Sequence, residues 1–441
     1  MYRSKRNVIF GIAVLLLFNF KINAQEKLSL TIEQAIEIGL QNSKLLHSSL
    51  MKVKNAEAKV REVNAMRLPS LKLSSGYRRL SPIDPFSVTI PGMGTFNISQ
   101  VILDNYSAQL TLFQPIFTGF RLLGNSEMNE QLSNAVSEDY NKDKSELIFN
   151  IKNAYWGLFK ATQFKKVMDE TVDQINAHVT DAKNLEKVGM MTTNDILKIE
   201  VQLSNTLFQQ IDAENSVKLA AVALCNTLGI SLEAKIEILS SANMSSAQFD
   251  ELNKLIGDAI TKRSEIKAAD LRVKASESGV TLAKSSWYPQ VSVIGNYYYS
   301  RPNQRIQPSK DQFDATWDVG VNLSLNVWDW LTTQHQTDQA EAQLSQAVDA
   351  MGMIKDGITL EVTQNYLSFS QAKRKIEIAE LSVKQATENV RVTNDRFKNG
   401  LATTTELVDA ETALIGSKIN NTTAVVDYEL SKARLEKSIG K

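Results

Sequence analysis

Two acidic residues near the C-terminus, Glu406 and Asp409, are the side chains whose type and spacing point most directly to chemistry. Because residues three apart lie on one face of a helix, this spacing presents two carboxylates side by side. Such a pair attracts cations. Acids near a helix N-terminus also interact favourably with the helix dipole, which is the simpler alternative. For Asp195, the counterpart of Glu406 in an earlier copy of this segment, we favour that simpler role.

The other polar residues form no pattern typical of an enzyme or a cofactor site. His47, His178 and His335 are scattered through different segments, and there is no Ser/His/Asp order, CxxC pair, phosphate-binding loop or His/Cys cluster. We therefore predict no enzymatic activity, no cofactor and no metal centre. The histidines are interpreted as surface or interface residues, with metal binding as a minor alternative.

An internal duplication determines the elements that must position these acids. The segment KVGMMTTNDIL, which begins at Lys187, is repeated as KNGLATTTELV from Lys398, an offset of 211 residues. Two large copies indicate a pseudo-symmetric protomer that closes into a ring with other chains. In each copy a glycine, Gly189 or Gly400, stands where one helix must reverse into the next, and glycine readily adopts the left-handed conformation that ends a helix.

Proline-free stretches predict two very long helices, 120–187 and 331–398. Each contains about 67 residues, which corresponds to a helix of roughly 100 Å. Apolar residues in both stretches recur with the 3.5-residue period of a coiled coil. They are Met168, Val172, Ile175, Val179 and Ala182 in the first copy, and Ala379, Val383, Ala386 and Val390 in the second. Shorter helices are predicted at 31–67, 192–228, 250–286 and 403–438.

Four segments that alternate with a period of two predict strands: 70–77, 106–113, 290–299 and 316–325. Strands of about ten residues with one apolar and one polar face are typical of transmembrane β-barrels, although a half-buried strand of a soluble sheet is the alternative for each one. The predicted helix-to-strand corners are Pro69, Pro115, Pro289 and Val327-Trp328. Because the smallest membrane barrels need about eight strands, several chains must contribute to one barrel.

The N-terminal residues 1–24 predict export. Basic residues precede an apolar run from Val8 to Phe18, and Ala24 supplies a cleavage site, which is the pattern of a secretory signal peptide. This run is too short to cross the roughly 30 Å hydrocarbon core as a helix. No later segment is long and apolar enough for a transmembrane helix, so we expect any contact with a bilayer to be made by strands.

Charge and cysteine content restrict the partners. Without its signal peptide the chain has 45 Lys and Arg against 49 Asp and Glu, a net charge of −4, which argues against a nucleic-acid partner. The only cysteine, Cys225, lies far from the cleavage site. We therefore expect neither a disulfide framework nor an N-terminal lipid anchor.

The order of helix, strand, loop, strand, long helix, tight turn and helix, present twice, resembles the TolC-type outer-membrane efflux protein family. The resemblance covers nearly the whole mature chain. Its motifs are the opening helix TIEQAI at 31–36, the corners RLP at 67–69, QPIFTG at 114–119 and WYP at 287–289, and the two glycine-containing hairpin tips.

This resemblance implies a mainly α-helical chain with a membrane β-barrel part. A homotrimer with four strands per protomer would form a twelve-stranded barrel in outer-membrane lipid, continuous with an α-barrel of long coiled-coil helices in the periplasm. The protomer would consist of the signal peptide, a first repeat at 25–230, a linker at 231–249 and a second repeat at 250–441. Such proteins are passive ducts of efflux or type I secretion systems in Gram-negative bacteria, opened when a periplasmic adaptor joined to an inner-membrane pump docks on them.

The resemblance also implies roles for residues at the tips. Adaptor contact is expected at 188–195 and 399–406, with Gly189, Asn194, Asp195, Gly400 and Thr403 as candidate residues. Glu406 and Asp409 match acids that point into the periplasmic entrance, where threefold symmetry would form a carboxylate ring that attracts cations and sets selectivity.

One feature of the family is missing from this chain. The closed state in the family is held by links among an arginine, an aromatic hydroxyl and an acid, but Ala402 and Phe397 occupy the positions of the arginine and the tyrosine. Asn194 and Asp195 are on the partner side. We therefore expect closure to depend on other packing.

A soluble periplasmic coiled-coil adaptor or scaffold is the alternative function, because its long hairpins would also show heptads. The four amphipathic strands distinguish the two proteins, since a scaffold needs no apolar outer face.

Overall fold

Two long helices and a four-stranded sheet dominate the fold. The computed structural model describes residues 28–98, 100–239 and 248–441, so the predicted signal peptide and part of the predicted linker lie outside the described residues. The helices are α1 (Ile32–Asn42), α2 (Lys44–Ala65), α3 (Arg121–Lys187), α4 (Thr193–Leu228), α5 (Leu252–Lys262), α6 (Ser264–Lys284), α7 (Thr332–Lys398) and α8 (Thr404–Ser438). The strands are β1 (Leu28–Leu30), β2 (Ser70–Arg79), β3 (Ser87–Ile90), β4 (Gly94–Asn97), β5 (Asp104–Thr118), β6 (Ile236–Ile238), β7 (Gln290–Arg301) and β8 (Asp314–Ser324). Within the described ranges, no helix has the length and apolar character needed to cross a membrane.

The two longest helices, α3 and α7, contain 67 residues each, and both begin one residue later than predicted. Neither is interrupted by proline, and each spans roughly 100 Å. α4 packs back along α3 and α8 packs back along α7, which forms two helix hairpins. α3 also contacts α2 and α6, and it contacts α8 of the second hairpin. The two copies of the repeat therefore lie side by side.

The heptad positions are core positions, but more fully in the first copy than in the second. Those of α3 are all buried, namely Met168, Val172, Ile175, Val179 and Ala182. On α7, Ala379 and Val390 are buried, whereas Val383 and Ala386 are half-buried. A larger cluster forms where α1 packs on α3, and there the hydroxyl of Tyr155 donates to the carbonyl of Leu30 at 3.1 Å.

Each predicted helix at 31–67 and 250–286 is divided into two in the structure. The break in the first copy is at Ser43, whose extended backbone ends α1 and whose hydroxyl accepts the Leu46 N–H at 3.2 Å. The break in the second copy is at Arg263, which ion-pairs with Glu265 and Glu361. Periodicity alone did not reveal these breaks, because a Ser or Arg that begins a new helix does not disturb the apolar pattern.

Four strands form one antiparallel sheet in the order β2-β5-β7-β8. Its central pair joins β5 of the first copy to β7 of the second. On one face, β8 carries a row of apolar side chains that are 67–72% exposed: Trp317, Val319, Val321 and Leu323. The other face is polar, and on it Asn296 accepts from Thr111 at 2.9 Å and donates to Asp318 at 2.9 Å. The sheet therefore has one apolar and one polar face, as the strands of transmembrane β-barrels do.

Two of the three predicted proline corners lie at strand starts, and the third does not. Pro69 and Pro289 immediately precede β2 and β7. Pro115 lies inside β5, so the prediction of a corner there is wrong. The strand register shifts between Pro115 and Phe117, and such a bulge tolerates a residue without an N–H.

The actual corners after β5 and β8 share an unusual backbone. Gly119 and Phe120 have φ of 61° and 67°, and the residues 211 positions later, Trp330 and Leu331, have φ of 55° and 62°. A side chain just before each pair holds the first helical turn. Thr118 Oγ1 accepts the Leu122 N–H at 3.3 Å, and an Asp329 carboxylate oxygen accepts the Thr333 N–H at 3.0 Å.

Two small pairings were not predicted from the sequence. β1 and β6 form a parallel pair that connects the start of the first copy to the predicted linker region. β3 and β4 form a hairpin between β2 and β5, with Val88 opposite Phe96. Strands of three or four residues are too short to show a period.

Candidate functional site at the helix-hairpin tips

The turns at the two tips have the same backbone structure. Gly189 and Gly400 have φ of 74° and 68°. The N–H after each glycine returns to the preceding helix: Met190 donates to the Leu185 carbonyl at 2.9 Å, and Leu401 donates to the Arg396 carbonyl at 2.8 Å. This is the Schellman type of helix end. An added Cβ at either glycine would meet no atom within 4 Å, so the left-handed backbone is the reason for glycine.

A threonine begins the returning helix at each tip. At the second tip, the Thr403 N–H donates to Glu406 Oε2 at 2.6 Å, and the Glu406 N–H donates to Thr403 Oγ1 at 3.2 Å, which is a reciprocal capping box. At the first tip, the Asp195 N–H donates to Thr192 Oγ1 at 3.3 Å, and that hydroxyl donates to Asp195 Oδ2 at 2.7 Å. Asp195 therefore lies in the first turn of α4, where an acid interacts favourably with the helix dipole.

These hydrogen bonds favour the ionised form of both acids. The Thr403 N–H, followed by the Thr403 hydroxyl, lowers the pKa of the Glu406 carboxyl below its ordinary value. The Thr192 hydroxyl is the main cause that lowers the pKa of the Asp195 carboxyl. Both side chains are thus anionic at neutral pH.

Glu406 and Asp409 are both exposed on α8, on the side away from the buried Leu407 and Ala410. Their environments differ. Glu406 is bound to its own helix start, whereas Asp409 makes no hydrogen bond or ion pair with the residues that the structure describes. Of the two predicted ring acids, Asp409 is therefore the carboxylate available to ions.

The remaining predicted tip residues are mostly accessible. Asn194 and Thr403 are exposed, and Asp195 is half-buried beside Lys198, with a 3.6 Å distance between its Oδ1 and the lysine Nζ. Three apolar side chains that the sequence analysis missed flank the glycines: Val188, Met190 and Leu401 are each 67–68% exposed. Their signal in the sequence was an apolar residue directly beside each turn glycine.

The position expected for a tyrosine of the polar lock carries packing instead. Phe397 is 6% exposed and lies under the second tip. The neighbouring Arg396 donates to the Leu401 carbonyl at 3.0 Å and stays within its own hairpin. The second tip is therefore held by an apolar side chain and by backbone bonds.

A buried polar contact joins the two hairpins above the tips. His178 of α3 and Glu411 of α8 are 7% and 6% exposed, and His178 Nε2 lies 2.6 Å from Glu411 Oε1. Gln174 Nε2 donates to the same oxygen at 2.8 Å. His178 is thus an interface residue, while His47 and His335 are on the surface. No group of three His, Cys, Asp or Glu in the described ranges could hold a metal ion.

The comparisons with known proteins agree with this architecture. The family description "Outer membrane efflux protein" matches residues 35–230 and 255–441. The chain belongs to the outer membrane efflux protein family. Like the other members it is an outer-membrane channel protein of a Gram-negative bacterium, acting in efflux or type I secretion.

Individual relatives are distant in sequence and close in fold. The chain is 24% identical to outer membrane protein TolC of Vibrio cholerae over 70% of this chain and 71% of that protein. It is 22% identical to the alkaline protease secretion protein AprF of Pseudomonas aeruginosa over 75% of this chain and 69% of that protein. The solved structure of the Vibrio cholerae outer membrane protein VceC aligns with a TM-score of 0.76 at 18% identity, over 93% of this chain and 96% of that one.

Proposed function

We propose that three copies of this chain form one continuous duct through the outer membrane and periplasm, which exports cargo passively. The observation that carries the proposal is the four-stranded sheet, which exposes an apolar face and leaves the outer edges of β2 and β8 without a strand partner among the described residues. Four strands cannot close a barrel, and the unpaired backbone N–H and C=O groups of an edge strand can pair with a strand of another chain. Three copies would supply twelve strands.

The helices have open edges that agree with this assembly. Toward the tips, α3 and α8 are the central helices, and α4 and α7 lie at the opposite edges. Each of these edge helices carries apolar side chains that no described residue covers. These are Leu197, Val201, Phe208, Ile211 and Leu219 on α4, and Leu360, Leu367, Ile378 and Leu381 on α7. Different faces that meet head to tail generate a ring when the rotation closes.

The test is the mass and conductance of the purified protein in detergent. We expect a trimer by light scattering and stepwise ion conductance in planar bilayers. We also expect a deletion strain to lose export of its cargo and to regain it from a plasmid copy. A monomer that forms no channel would contradict the duct.

Adaptor docking is assigned to the tips, where Val188, Met190 and Leu401 stand out into solvent beside the turn glycines. Gly189, Asn194, Asp195, Gly400 and Thr403 form the surrounding surface, and an adaptor connected to an inner-membrane pump is the proposed partner. We expect Met190→Asp and Leu401→Asp to abolish export while the trimer and its conductance persist. Leu219→Asp, on the side of α4 instead of the tip, serves as a matched control that should weaken the trimer itself. Normal export by both tip variants would remove docking from this surface.

The ring of acids at the entrance is proposed with unequal members. Asp409 supplies an accessible carboxylate, and Glu406 adds a negative charge whose position is fixed by the Thr403 cap. Three copies would bring six carboxylates around the entrance, which raises the local concentration of cations.

A further inference from the structure

The two open edges of the sheet carry opposite charges. β2 contains Lys72, Arg78 and Arg79 and no acid, whereas β8 contains Asp314 and Asp318 and no base. Arg79 is already paired with Asp104 at 3.2 Å. Lys72 and Arg78 make no hydrogen bond or ion pair with any residue in the described ranges. One edge of the sheet is therefore cationic and the other anionic, which suits pairing between copies.

The duplication predicts how these edges meet. β2 corresponds to β7 with an offset of 220, as Pro69 does to Pro289, and β5 corresponds to β8 with an offset of 211. These offsets reproduce the observed pairing within each copy, since Ser70 pairs with Phe113 and the corresponding Gln290 pairs with Ser324. The same correspondence can therefore be applied to the central pair.

The β5–β7 pairing then gives the register expected between β8 of one copy and β2 of the next. In β5 and β7, Gln109 stands opposite Tyr298. The corresponding residues are Gly320 of β8 and Arg78 of β2. Arg78 would face a residue without a side chain, one diagonal step from Asp318. Diagonal neighbours on one face are about 7–8 Å apart, within reach of an arginine.

Both side chains belong to the polar face of the sheet. Lys72, Thr111, Asn296 and Asp318 form one row across the four strands, and Arg78 is six residues from Lys72 on the same face of β2. Asp318 accepts from Asn296 at 2.9 Å through Oδ1 and also interacts with the Tyr298 hydroxyl, and its carboxylate has capacity to accept a further hydrogen bond from a neighbouring chain.

We infer that β8 of one copy pairs with β2 of the next in the register that sets Arg78 opposite Gly320, and that Arg78 and Asp318 form an ion pair across each seam on the inner face of the barrel. This inference rests on the proposed trimeric duct. The partner strand at each seam, the junction of β8 with β2, belongs to a second copy of this chain. The chain contains both charged residues, and its own β5–β7 pairing gives the register.

Charge reversal with rescue tests the ion pair. We expect Arg78→Asp and Asp318→Arg each to lower the temperature at which the trimer dissociates in detergent, by roughly 2–4 °C. The double variant should recover most of the loss. Lys72→Asp is the matched control, since the same register places Lys72 opposite Asn326, beyond the end of β8. It should leave the temperature unchanged.

A disulfide test of the register does not depend on stability. In a Cys225→Ser background, Arg78→Cys with Gly320→Cys should cross-link neighbouring copies on oxidation, because opposite Cα atoms lie about 4.5–5.5 Å apart. Ser74→Cys with Gly320→Cys is displaced by four residues from that pairing and should not cross-link.

Loss of the trimer and loss of the β8–β2 pairing would give different results. If the unaltered chain forms no trimer, the duct and its seam are both overturned. If it forms a trimer in which both reversals behave like Lys72→Asp and the 78/320 pair does not cross-link, the seam alone is wrong and the duct stands.

Discussion

The two helix-hairpin tips have the same backbone conformation and differ in charge. Both turn at a glycine with a left-handed φ and restart at a threonine cap. One turn into the returning helix, the first tip has Asp195 beside Lys198, with 3.6 Å between the charged atoms. The second tip has Glu406 and Asp409 at the matching positions. Duplication has thus kept the geometry of the turn, while only the second copy presents uncompensated negative charge.

A second pair of matched residues shows the same divergence. Glu200 of α4 and Glu411 of α8 are 211 positions apart. Glu200 is accessible and pairs with Lys183 of its own hairpin at 2.8 Å. Glu411 is buried and contacts His178 of the other hairpin at 2.6 Å. The matched glutamate therefore pairs within its own hairpin in the first copy and contacts the other hairpin in the second.

The largest expected effect comes from removing the Glu411 carboxylate. Glu411→Ala should destabilise the protein by about 1–3 kcal/mol, because it leaves the half-buried Gln174 amide without its acceptor and opens a gap beside the buried His178. Denaturant unfolding of the purified protein, followed by tryptophan fluorescence, would measure the loss.

Glu200→Ala is the matched control for this variant. Because the Glu200 pair is solvent-exposed, its removal should cost less than about 1 kcal/mol. Glu411→Gln should be milder than Glu411→Ala, since its amide oxygen can still accept a hydrogen bond. Equal losses for the alanine variants at 200 and 411 would show that the two hairpins are held in the same way.

The second largest effect is expected from replacing the left-handed glycine that both tips have at the turn. Gly189→Ala and Gly400→Ala should each weaken their tip by roughly 1–2 kcal/mol, the cost of a left-handed L-residue, since neither added Cβ meets another atom. Hydrogen exchange at the amides of residues 190 and 401 should accelerate to a similar extent. A change at one tip only would mean that the backbone equivalence does not extend to energetics.

The sequence predicted the elements that have a long period and missed those set by single contacts. Sixty-seven residues without proline define α3 and α7 almost to the residue, because the apolar repeat and the turn glycines agree. Nothing periodic marks Ser43 or Arg263, where a helix restarts, and Pro115 misled because a bulge lets β5 continue past it. The spacing of Glu406 and Asp409 predicted a shared face. The signal that Glu406 would turn back to Thr403 was a different one, the Thr-x-x-Glu spacing of a capping box, and it was missed.

A smaller effect separates the two caps. Thr403→Ala should cost about 1 kcal/mol locally, and Thr192→Ala less, because only the second tip has the reciprocal bond between the acid and the backbone N–H. Hydrogen exchange at the two tips would compare the losses.

The lowered pKa of Glu406 makes the stability of the second tip depend on pH. Its stabilisation is present above the unfolded pKa, about 4.3, and is lost as pH falls through the lower folded pKa. Hydrogen exchange at the second tip should therefore accelerate only below about pH 4.3. Glu406→Gln should remove that acid-dependent step, and its persistence in this variant would assign it to another group.

The smallest expected effect is ionic, because the charges concerned are exposed and screened by salt. Asp409→Asn should shift the reversal potential of the channel toward lower cation selectivity in planar bilayers under a salt gradient, and Glu406→Gln should add to that shift. Lys198→Gln makes the converse change, since it removes the cation that compensates Asp195 and gives the first tip a net negative charge as well. It should therefore raise cation selectivity, most visibly at low ionic strength. If Lys198→Gln and Asp409→Asn both leave the reversal potential unchanged, the entrance acids do not face the conducting path, and the charge difference between the tips must serve recognition of the adaptor instead.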